Sequence, residues 1–422
     1  MSQESPTENP NSEETQKFLT KPIIIIFVTV LIDLIGFGIV IPVLPYYVQG
    51  DAFQATPFQL GILVASYSIM QFVFSPVLGS LSDRYGRRPI LFFSLLGTAA
   101  GFLIVGFAST LWMVFAGRIL DGITGGNISA AQAYIADVTT RKNRAKGMGL
   151  IGAAFGIGFV LGPSIGGILS KYGNDVPFLF AAAMAFCNAV ALYFFLPESL
   201  KRTGAAEPAR RINRFAELFD SLGDERFRTI TLIYFLIITG FSIMTTSFAL
   251  YTMTRFSYDA EQSGYLLAYS GFLGVILQGG LFGRLSAWLG ESRLVVVGSL
   301  LLTASLFAVP LVGPQSGGLL GLLIGIAFFS IGNSICSPAL TSLASKNATE
   351  SEQGKALGVM QSGASLARAV GPVIAGLLLN NALGQLDDGT IQRTFWTASG
   401  IVFAAFLVAI YFARSAKKEI FA

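Results

Sequence analysis

Twelve apolar stretches, each long enough to cross a lipid bilayer, constrain the fold of this chain more than any other feature. A helix rises about 1.5 Å per residue, so about 20 apolar residues cover a hydrocarbon core about 30 Å thick. The stretches lie at about 22–48, 58–82, 89–108, 111–138, 146–171, 175–196, 227–253, 261–287, 292–312, 317–345, 354–380 and 391–413. The pattern predicts an all-α membrane protein with twelve transmembrane helices, called spans 1 to 12 below.

The composition agrees with a chain embedded in lipid and narrows its chemistry. Hydrophobic residues make up 53% and charged residues 12%, the net charge is only +4, and no polar stretch is long enough for a nucleic-acid-binding module. The chain has no histidine, which excludes sites that need an imidazole. Cys187 and Cys336 lie inside apolar stretches and are interpreted as packing residues. We therefore expect no cofactor, no metal and no nucleic-acid partner.

A polar segment between spans 6 and 7 divides the chain into two halves. The sequence predicts a disordered cytoplasmic tail, a six-helix bundle, a cytoplasmic linker, a second six-helix bundle and a second tail. Their bounds in this order are 1–21, 22–196, 197–226, 227–414 and 415–422. In the linker, Phe215, Leu218, Phe219 and Leu222 recur at helical spacing, which fits a short interfacial helix or a segment that merely packs under the halves.

The distribution of lysine and arginine predicts the orientation in the membrane. An even number of spans puts both termini on one side, and most of the 28 basic residues fall in the loops and tails of that side. Lys171, Arg255 and Arg393 are the exceptions in loops of the other side. Because cytoplasmic loops are enriched in Lys and Arg, we expect both termini to be cytoplasmic.

The two halves carry a weak internal repeat. The sequence from Gly79 to Gly86 after span 2 has a counterpart from Gly283 to Gly290 after span 8, in which Asp83 is replaced by Ala287. Repeats of this kind are typical of transporters that expose one central site alternately to two faces. The sequence therefore predicts two pseudo-symmetric bundles.

Five sequence motifs resemble those of a known family. Residues 79–88 (GSLSDRYGRR) resemble the loop 2–3 signature of the major facilitator superfamily. Residues 118–122 (RILDG) and 158–167 (GFVLGPSIGG) resemble the span 4 and span 5 motifs of its twelve-helix drug:proton antiporters. Residues 133–139 and 33–45 are similar to the tetracycline-exporter branch. The resemblance implies the major facilitator fold and multidrug or tetracycline efflux.

The resemblance implies a gate in the loop after span 2. Asp83 would lie near the positive N-terminal end of span 11, and Arg87 would pair with Asp137 at the end of span 4. With Arg84 and Arg88, these residues would hold the halves closed on the cytoplasmic side. The alternative is that the basic loop only anchors the topology.

A helix dense in glycine exposes its backbone to close packing, and a proline inside it removes one hydrogen bond. Span 5 has this character in the predicted antiporter motif. The alternative is plain helix packing without a bearing on transport. The motif residues are Gly158, Gly162, Pro163, Gly166 and Gly167.

Charged residues deep inside spans are costly and need a partner or a purpose. Asp33 is 11 residues into span 1 and Arg118 is 8 residues into span 4 from the opposite side, so the two match in depth. Asp121, one turn from Arg118, could compete with Asp33 for the guanidinium. We expect these three residues to couple transport to protons, since the distance between a carboxylate and an arginine controls proton binding; a permanent structural ion pair is the alternative.

Other polar residues within spans are candidates for cargo binding. With 36 phenylalanines in the chain, a site with few polar groups suits a bulky amphipathic molecule better than a sugar. For any one of them an interhelical hydrogen bond is the alternative, and Arg368 fits either an anionic part of the cargo or capping of carbonyl groups. The candidates are Tyr67, Gln71, Asn127, Tyr134, Tyr234, Gln278, Asn333, Gln361 and Arg368.

Together these observations predict a monomeric secondary transporter in a bacterial inner membrane that exports a small amphipathic compound in exchange for protons. An uncoupled or proton-symporting carrier of a metabolite or lipid is the alternative within transport. A membrane enzyme is disfavoured, because the sequence has no histidine, no nucleotide-binding loop and no metal-ligand cluster. A receptor or scaffold would not need buried charges at matched depth.

Overall fold

The computed structural model describes residues 20–200, 225–348, 353–381 and 386–420. Most of the predicted N-terminal tail lies outside these residues, and so does the predicted interfacial helix of the linker.

The described chain is a bundle of helices that confirms the twelve predicted spans. Spans 1 to 6 are the helices Lys21–Gln49, Pro57–Tyr85, Arg87–Gly106, Leu111–Thr124 with Asn127–Val138, Arg141–Ser170 and Val176–Phe195. Spans 7 to 12 are Glu225–Phe256, Ala260–Ile276 with Leu277–Leu281 and Phe282–Leu289, Glu291–Ala308, Gly318–Lys346, Gln353–Leu379 and Asp388–Ile420. Within the described ranges, 11 helical segments are long and apolar enough to cross a membrane by themselves; the remaining span is span 4.

Neither helix of span 4 is long enough to cross a membrane by itself, because Gly125 and Gly126 divide the span into helices of 14 and 12 residues. The break follows from close packing against span 2. A Cβ atom at Gly122 would lie 2.6 Å from the carbonyl oxygen of Tyr67, and one at Gly126 would lie 2.8 Å from the Cα of Ser75. The glycines therefore allow span 4 to rest on the backbone of span 2.

The corners after spans 2 and 8 support the internal repeat. Both are made by a glycine with positive φ, 111° at Gly86 and 76° at Gly290, a conformation that side chains with a Cβ atom disfavour. The two glycines occupy equivalent positions in the repeat, so the two halves turn the chain in the same way.

Span 5 uses the glycines of its motif on two faces. On one face, Cβ atoms at Gly158 and Gly162 would lie 2.8 Å and 2.6 Å from backbone or Cβ atoms of span 1. On the other face, a Cβ atom at Gly167 would lie 2.9 Å from the Cα of Glu261 in span 8, and one at Gly264 would lie 2.5 Å from the carbonyl oxygen of Pro163. The motif therefore packs span 5 between its own half and the other half.

Among the residues that the structure describes, the closest contacts between the halves lie at one end of the bundle. We call the end where span 1 begins and span 2 ends the basic end, and the opposite end the far end. At the far end, a Cβ atom at Gly61 of span 2 would lie 2.4 Å from the carbonyl oxygen of Pro372 in span 11. Toward the basic end, contact between spans 5 and 8 continues to Gly156 and Val275, beyond which Gly279 and Gly280 have open space around them.

We predict that Gly61→Val lowers the stability of the purified protein, because a side chain there must push span 11 away from span 2. Overpacking of this kind costs about 1–3 kcal/mol. The measurement is the thermal unfolding midpoint in detergent. Gly149→Val is the matched control, since Gly149 has nothing within 4 Å of its Cβ position; equal midpoints for the two variants would contradict the proposed close packing.

Candidate functional site

A deeply buried ion pair lies on span 4. Nη1 of Arg118 is 2.7 Å from Oδ2 of Asp121, and the two side chains are only 3% and 6% exposed. The residues are three positions apart and so share one face of the helix. The guanidinium also stacks on the ring of Tyr67, with its Cζ atom 4.4 Å from the ring centroid. Thr98 of span 3, which sequence reasoning missed, lies within hydrogen-bonding reach of Asp121.

Asp33 has a different partner from the one expected. In the described residues Arg118 pairs with Asp121, and no ion pair joins it to Asp33. The carboxyl group of Asp33 lies beside the side chain of Asn127 and within electrostatic reach of Asp121. Asp33, Arg118 and Asp121 thus belong to one cluster, but in this conformation Arg118 pairs with Asp121 and not with Asp33.

Two buried polar atoms of this cluster lack a hydrogen-bond partner among the described residues. Nε of Arg118 and Oδ1 of Asn127 are buried and have no hydrogen-bond partner in the part of the chain that the structure describes. Buried polar atoms are normally satisfied, and leaving one without a partner costs about 1–3 kcal/mol. The cluster thus has one buried donor, on Arg118, and one buried acceptor, on the Asn127 side chain beside Asp33, that a water or a polar atom of a cargo could satisfy.

Tyr67 and Gln71 of span 2 join the cluster to the break in span 4. The Gln71 amide donates hydrogen bonds to the Tyr67 hydroxyl at 3.0 Å and to the carbonyl oxygen of Gly125 at 2.9 Å. The second bond satisfies a carbonyl group next to the break in the helix. Both predicted cargo residues thus lie at the cluster, where they also support the backbone.

The second half contributes Arg368 of span 11 and Tyr234 of span 7. The two side chains lie within electrostatic reach of each other, and Arg368 also lies within reach of Tyr67. The structure therefore brings the predicted polar residues of both halves together near the middle of the bundle.

Four other predicted cargo residues lie elsewhere. Tyr134 is fully buried in a packed cluster, and its hydroxyl donates to the carbonyl oxygen of Pro197 at 2.9 Å, an arrangement that fits the packing alternative. Gln278 and Gln361 are exposed, and Gln278 belongs to the π-helical segment Leu277–Leu281. Asn333 of span 10 is partly buried, and its Oδ1 atom has no hydrogen-bond partner among the described residues.

A row of aromatic rings crosses between the halves, which sequence reasoning did not identify. The centroids of Phe37 and Phe159 in the first half are 6.5 Å apart, and Phe159 lies 6.1 Å from Phe241 in the second half. Phe241 stacks on Phe329 at 5.7 Å. Phe37 also lies 5.8 Å from Tyr67, so the row provides an apolar surface directly beside the polar cluster.

The loop after span 2 forms a network around Arg87. The Nε atom of Arg87 is 3.1 Å from Oδ2 of Asp137, and its guanidinium also pairs with Asp83. The Asp83 side chain is 51% exposed, while Ser82 accepts a further bond from Arg87 at 2.8 Å. Arg87 therefore pairs with Asp83 and Asp137 inside the first half. These pairs are present in a conformation in which spans 5 and 8 separate toward the basic end.

Arg84 and Arg88 lie on tyrosine rings rather than on carboxylates. The Cζ atom of Arg84 is 5.2 Å from the ring centroid of Tyr85, and that of Arg88 is 5.0 Å from Tyr193. Glu198, which sequence reasoning missed, accepts hydrogen bonds from the backbone amides of Arg87 and Arg88 at 2.9 Å and 3.2 Å. A carboxylate at the start of span 3 satisfies free amide groups and complements the helix dipole.

The far end is joined by a polar network that we call the far-end lock: Tyr46, Ser263, Lys171 and Glu261. The hydroxyl of Tyr46 in span 1 lies 2.8 Å from Oγ of Ser263 in span 8, and 3.0 Å from the carbonyl oxygen of Tyr258. Lys171 is 2.8 Å from Glu261 across the same junction. The bond to Glu261 raises the pKa of Lys171, so the lysine stays charged at physiological pH.

Comparisons with known proteins agree with this architecture. The family model described as Major Facilitator Superfamily matches residues 26–361 and 319–421. The chain is 31% identical to the tetracycline resistance protein, class H, of Pasteurella multocida, over 93% of this chain and 96% of that protein. It is also 31% identical to multidrug resistance protein 2 of Bacillus subtilis (strain 168), over 85% and 88% of the two chains.

Among solved structures, the human organic anion transporter MFSD10 (TETRAN) superimposes with a TM-score of 0.68 at 25% identity. The match covers 92% of this chain and 99% of that chain. The similarity thus extends over both halves.

The ion pair generates a stability prediction. Asp121→Asn should lower the stability of the protein strongly, because it leaves Arg118 buried without a carboxylate, a loss that costs about 3–5 kcal/mol. Asp33→Asn should change stability little, since Asp33 forms no ion pair in the described residues. Thermal unfolding of the two purified variants in detergent measures the difference, and a larger loss for Asp33→Asn would show that Arg118 depends on Asp33 instead.

Proposed function

The chain belongs to the major facilitator superfamily, and from this premise we propose that it exports a small amphipathic compound in exchange for protons by alternating access. It would do so as a monomer in a bacterial inner membrane, with both termini in the cytoplasm. Two relatives of this chain are a tetracycline resistance protein and a multidrug resistance protein. Their names support a drug-like cargo for this chain as well.

The arrangement of the halves supports alternating access. The glycine contacts and the far-end lock hold the halves together at one end, while the basic end is parted. If the basic end is cytoplasmic, as the distribution of Lys and Arg predicts, this conformation receives cargo from the cytoplasm. Closing the basic end and opening the far-end lock would release the cargo on the other side.

The observation that carries proton exchange is the position of Asp33 next to the Arg118–Asp121 pair. Asp33 lies within a span and has no ion pair in the described residues, so no fixed cation compensates its charge. A carboxyl group in such surroundings responds strongly to any change in nearby charges. Asp33 is therefore the better candidate for the exchanged proton, and Asp121 the better candidate for the fixed partner of Arg118.

The surroundings of the cluster support an amphipathic cargo. The rings of Phe37, Phe159, Phe241 and Phe329 offer an apolar surface, and the polar groups of Tyr67 and Gln71 lie at its edge. Sites of this kind bind a mostly apolar ligand and orient it by a few polar contacts.

We predict that Asp33→Asn abolishes uphill export driven by a pH gradient while cargo binding persists, because the amide resembles a permanently protonated acid. The assay uses proteoliposomes with an imposed pH gradient and two cargo probes, tetracycline and ethidium. Cargo binding is measured at equilibrium without a gradient.

Asp121→Asn is compared under the same gradient, using conditions in which it remains folded. If Asp33→Asn exports at the wild-type rate and Asp121→Asn does not, the exchanged proton belongs to Asp121. If both variants still export cargo against its concentration gradient, the exchanged proton is carried by a group other than Asp33 and Asp121. If the wild-type protein itself shows no export driven by the pH gradient, proton antiport gives way to the uncoupled or symporting carrier.

A second transport prediction concerns the gate. Asp83 is half exposed while the basic end is open, and it would be positioned to meet the start of span 11 when the basic end closes. Asp83→Asn should therefore slow transport by at least about tenfold without lowering the amount of protein in the membrane. Ala287→Asp at the equivalent position of the second half is the matched control and should have little effect. Normal transport by Asp83→Asn would leave the loop as a topological anchor.

A further inference from the structure

Arg368 is a cation inside span 11 without a carboxylate partner. Its described hydrogen bond goes to the hydroxyl of Ser365 on the same helix, with Nη2 3.2 Å from Oγ. Within the described ranges, no Asp or Glu oxygen lies within 4.0 Å of its guanidinium. Arg118, the other arginine in the interior of a span, has Asp121 at 2.7 Å, so the two buried arginines differ in kind.

The position of Arg368 is set by close packing of span 11 on both neighbours. A Cβ atom at Gly371 would lie 2.6 Å from the Cβ of Ser242 in span 7, and one at Gly376 would lie 3.1 Å from the Cα of Gly61 in span 2. Arg368 lies one helical turn before Gly371. It is within electrostatic reach of Tyr234 on span 7 and of Tyr67 on span 2. The arginine thus stands where the two halves face each other.

Capping of carbonyl groups does not explain this arginine. Arg393 shows what capping looks like in the same half, since its guanidinium donates to the carbonyl oxygens of Leu378 and Asn380. Arg368 makes no hydrogen bond to a carbonyl group in the described residues, and its neighbours Ser365, Tyr234 and Tyr67 are neutral hydroxyl groups. Most of the five donors of its guanidinium remain free.

A buried charge without a counter-ion is expensive in a membrane. Arg368 keeps partial exposure although it lies in the middle of its span, so a solute that enters between the halves can reach it. The planar guanidinium matches the two oxygens of a carboxylate. Tyr67, which lies within electrostatic reach of Arg368, has its ring 5.8 Å from that of Phe37, so the aromatic row begins at a neighbour of this arginine.

We propose that Arg368 binds an acidic group of the cargo, so that the transported compound is an aromatic or apolar organic anion. This inference deepens the proposed export function and rests on it for the term cargo. The acidic group lies on the guanidinium of Arg368, and the apolar body of the compound lies toward the aromatic row.

The test compares acids with uncharged analogues of the same shape. The probes are 1-naphthaleneacetate, biphenyl-4-acetate and 9-anthraceneacetate, each paired with its primary amide. Binding to the wild-type protein in nanodiscs is measured by isothermal titration calorimetry at pH 8 without a gradient, and empty nanodiscs correct for partition into lipid.

We expect at least one acid to bind at least about tenfold more tightly than its amide, the size of effect that a charge-assisted hydrogen-bonded pair gives. Arg368→Gln should abolish this preference while the affinity for the amide changes by less than about twofold. Arg368→Lys should keep part of it, because the charge remains and the planar fork is lost. Arg414→Gln, which removes an exposed arginine of the same half, should bind as the wild type does.

The proposal is overturned if no acid binds more tightly than its amide, or if Arg368→Gln weakens acids and amides equally. Size-exclusion chromatography and thermal unfolding exclude misfolding of Arg368→Gln, and Arg368→Lys retains a basic group if that variant fails to fold. Preference for acids without export driven by a pH gradient would leave this inference standing and contradict only the proposed antiport. Gradient-driven export of tetracycline without preference for acids would support the proposed antiport and contradict the binding of an acidic group by Arg368.

Discussion

The cost of placing a charge inside a lipid bilayer governs the arrangement of this protein. Each charged side chain within a span must find a partner, reach water or remain as a group that a ligand or a proton neutralises. Arg118 finds Asp121 on its own helix, and Arg87 finds Asp83 and Asp137 at the basic end. Asp33 and Arg368 have no such partner in the described residues.

The packing of the helices follows from a second constraint, which is that lipid gives no hydrophobic drive for helices to associate. Small residues replace that drive by letting backbones approach closely. Gly162 and Gly167 use opposite faces of span 5 in this way, one against span 1 and the other against span 8. Close backbone contact therefore contributes both to packing within the first half and to the interface between the halves, where the side chains of the far-end lock join it.

Most of the fold could be predicted from the sequence, because hydrophobic length determines where a chain crosses a membrane. The break in span 4 was not predicted, since Gly125 and Gly126 lie inside one apolar stretch and their contact with span 2 depends on the fold. The π-helical segment of span 8 was not predicted either, because hydrophobic length does not distinguish one kind of helix from another. Hydrophobic length fixes the position of a residue along the membrane normal, whereas the contact between spans 4 and 2 depends on neighbours across it.

The same limit explains the outcome at the candidate site. Matched depth puts Asp33 and Arg118 at one level of the membrane, but it does not give the direction in which a side chain points, and Arg118 pairs with Asp121. Spacing carried that information for Arg118 and Asp121, which are three residues apart and must share a face. The aromatic row from Phe37 to Phe329 joins four spans, and no spacing within one span could reveal it.

The charged residues of the site lie on both halves, so a movement of the halves would change the distances between some of them. Arg118 and Asp121 lie on one helix, so the rocking of the halves that we propose would leave their separation nearly unchanged. Arg368 lies on the opposite half, and its distance from Asp33 would change if the halves rotated about the glycine contacts. A charge that is compensated within its own helix would stabilise each conformation similarly, whereas Asp33 and Arg368 would interact with a ligand between the halves to a different extent in each. Only such differential interaction can shift an equilibrium between conformations, so in the proposed cycle the two unpaired charges are the groups through which protons and cargo would bias transport.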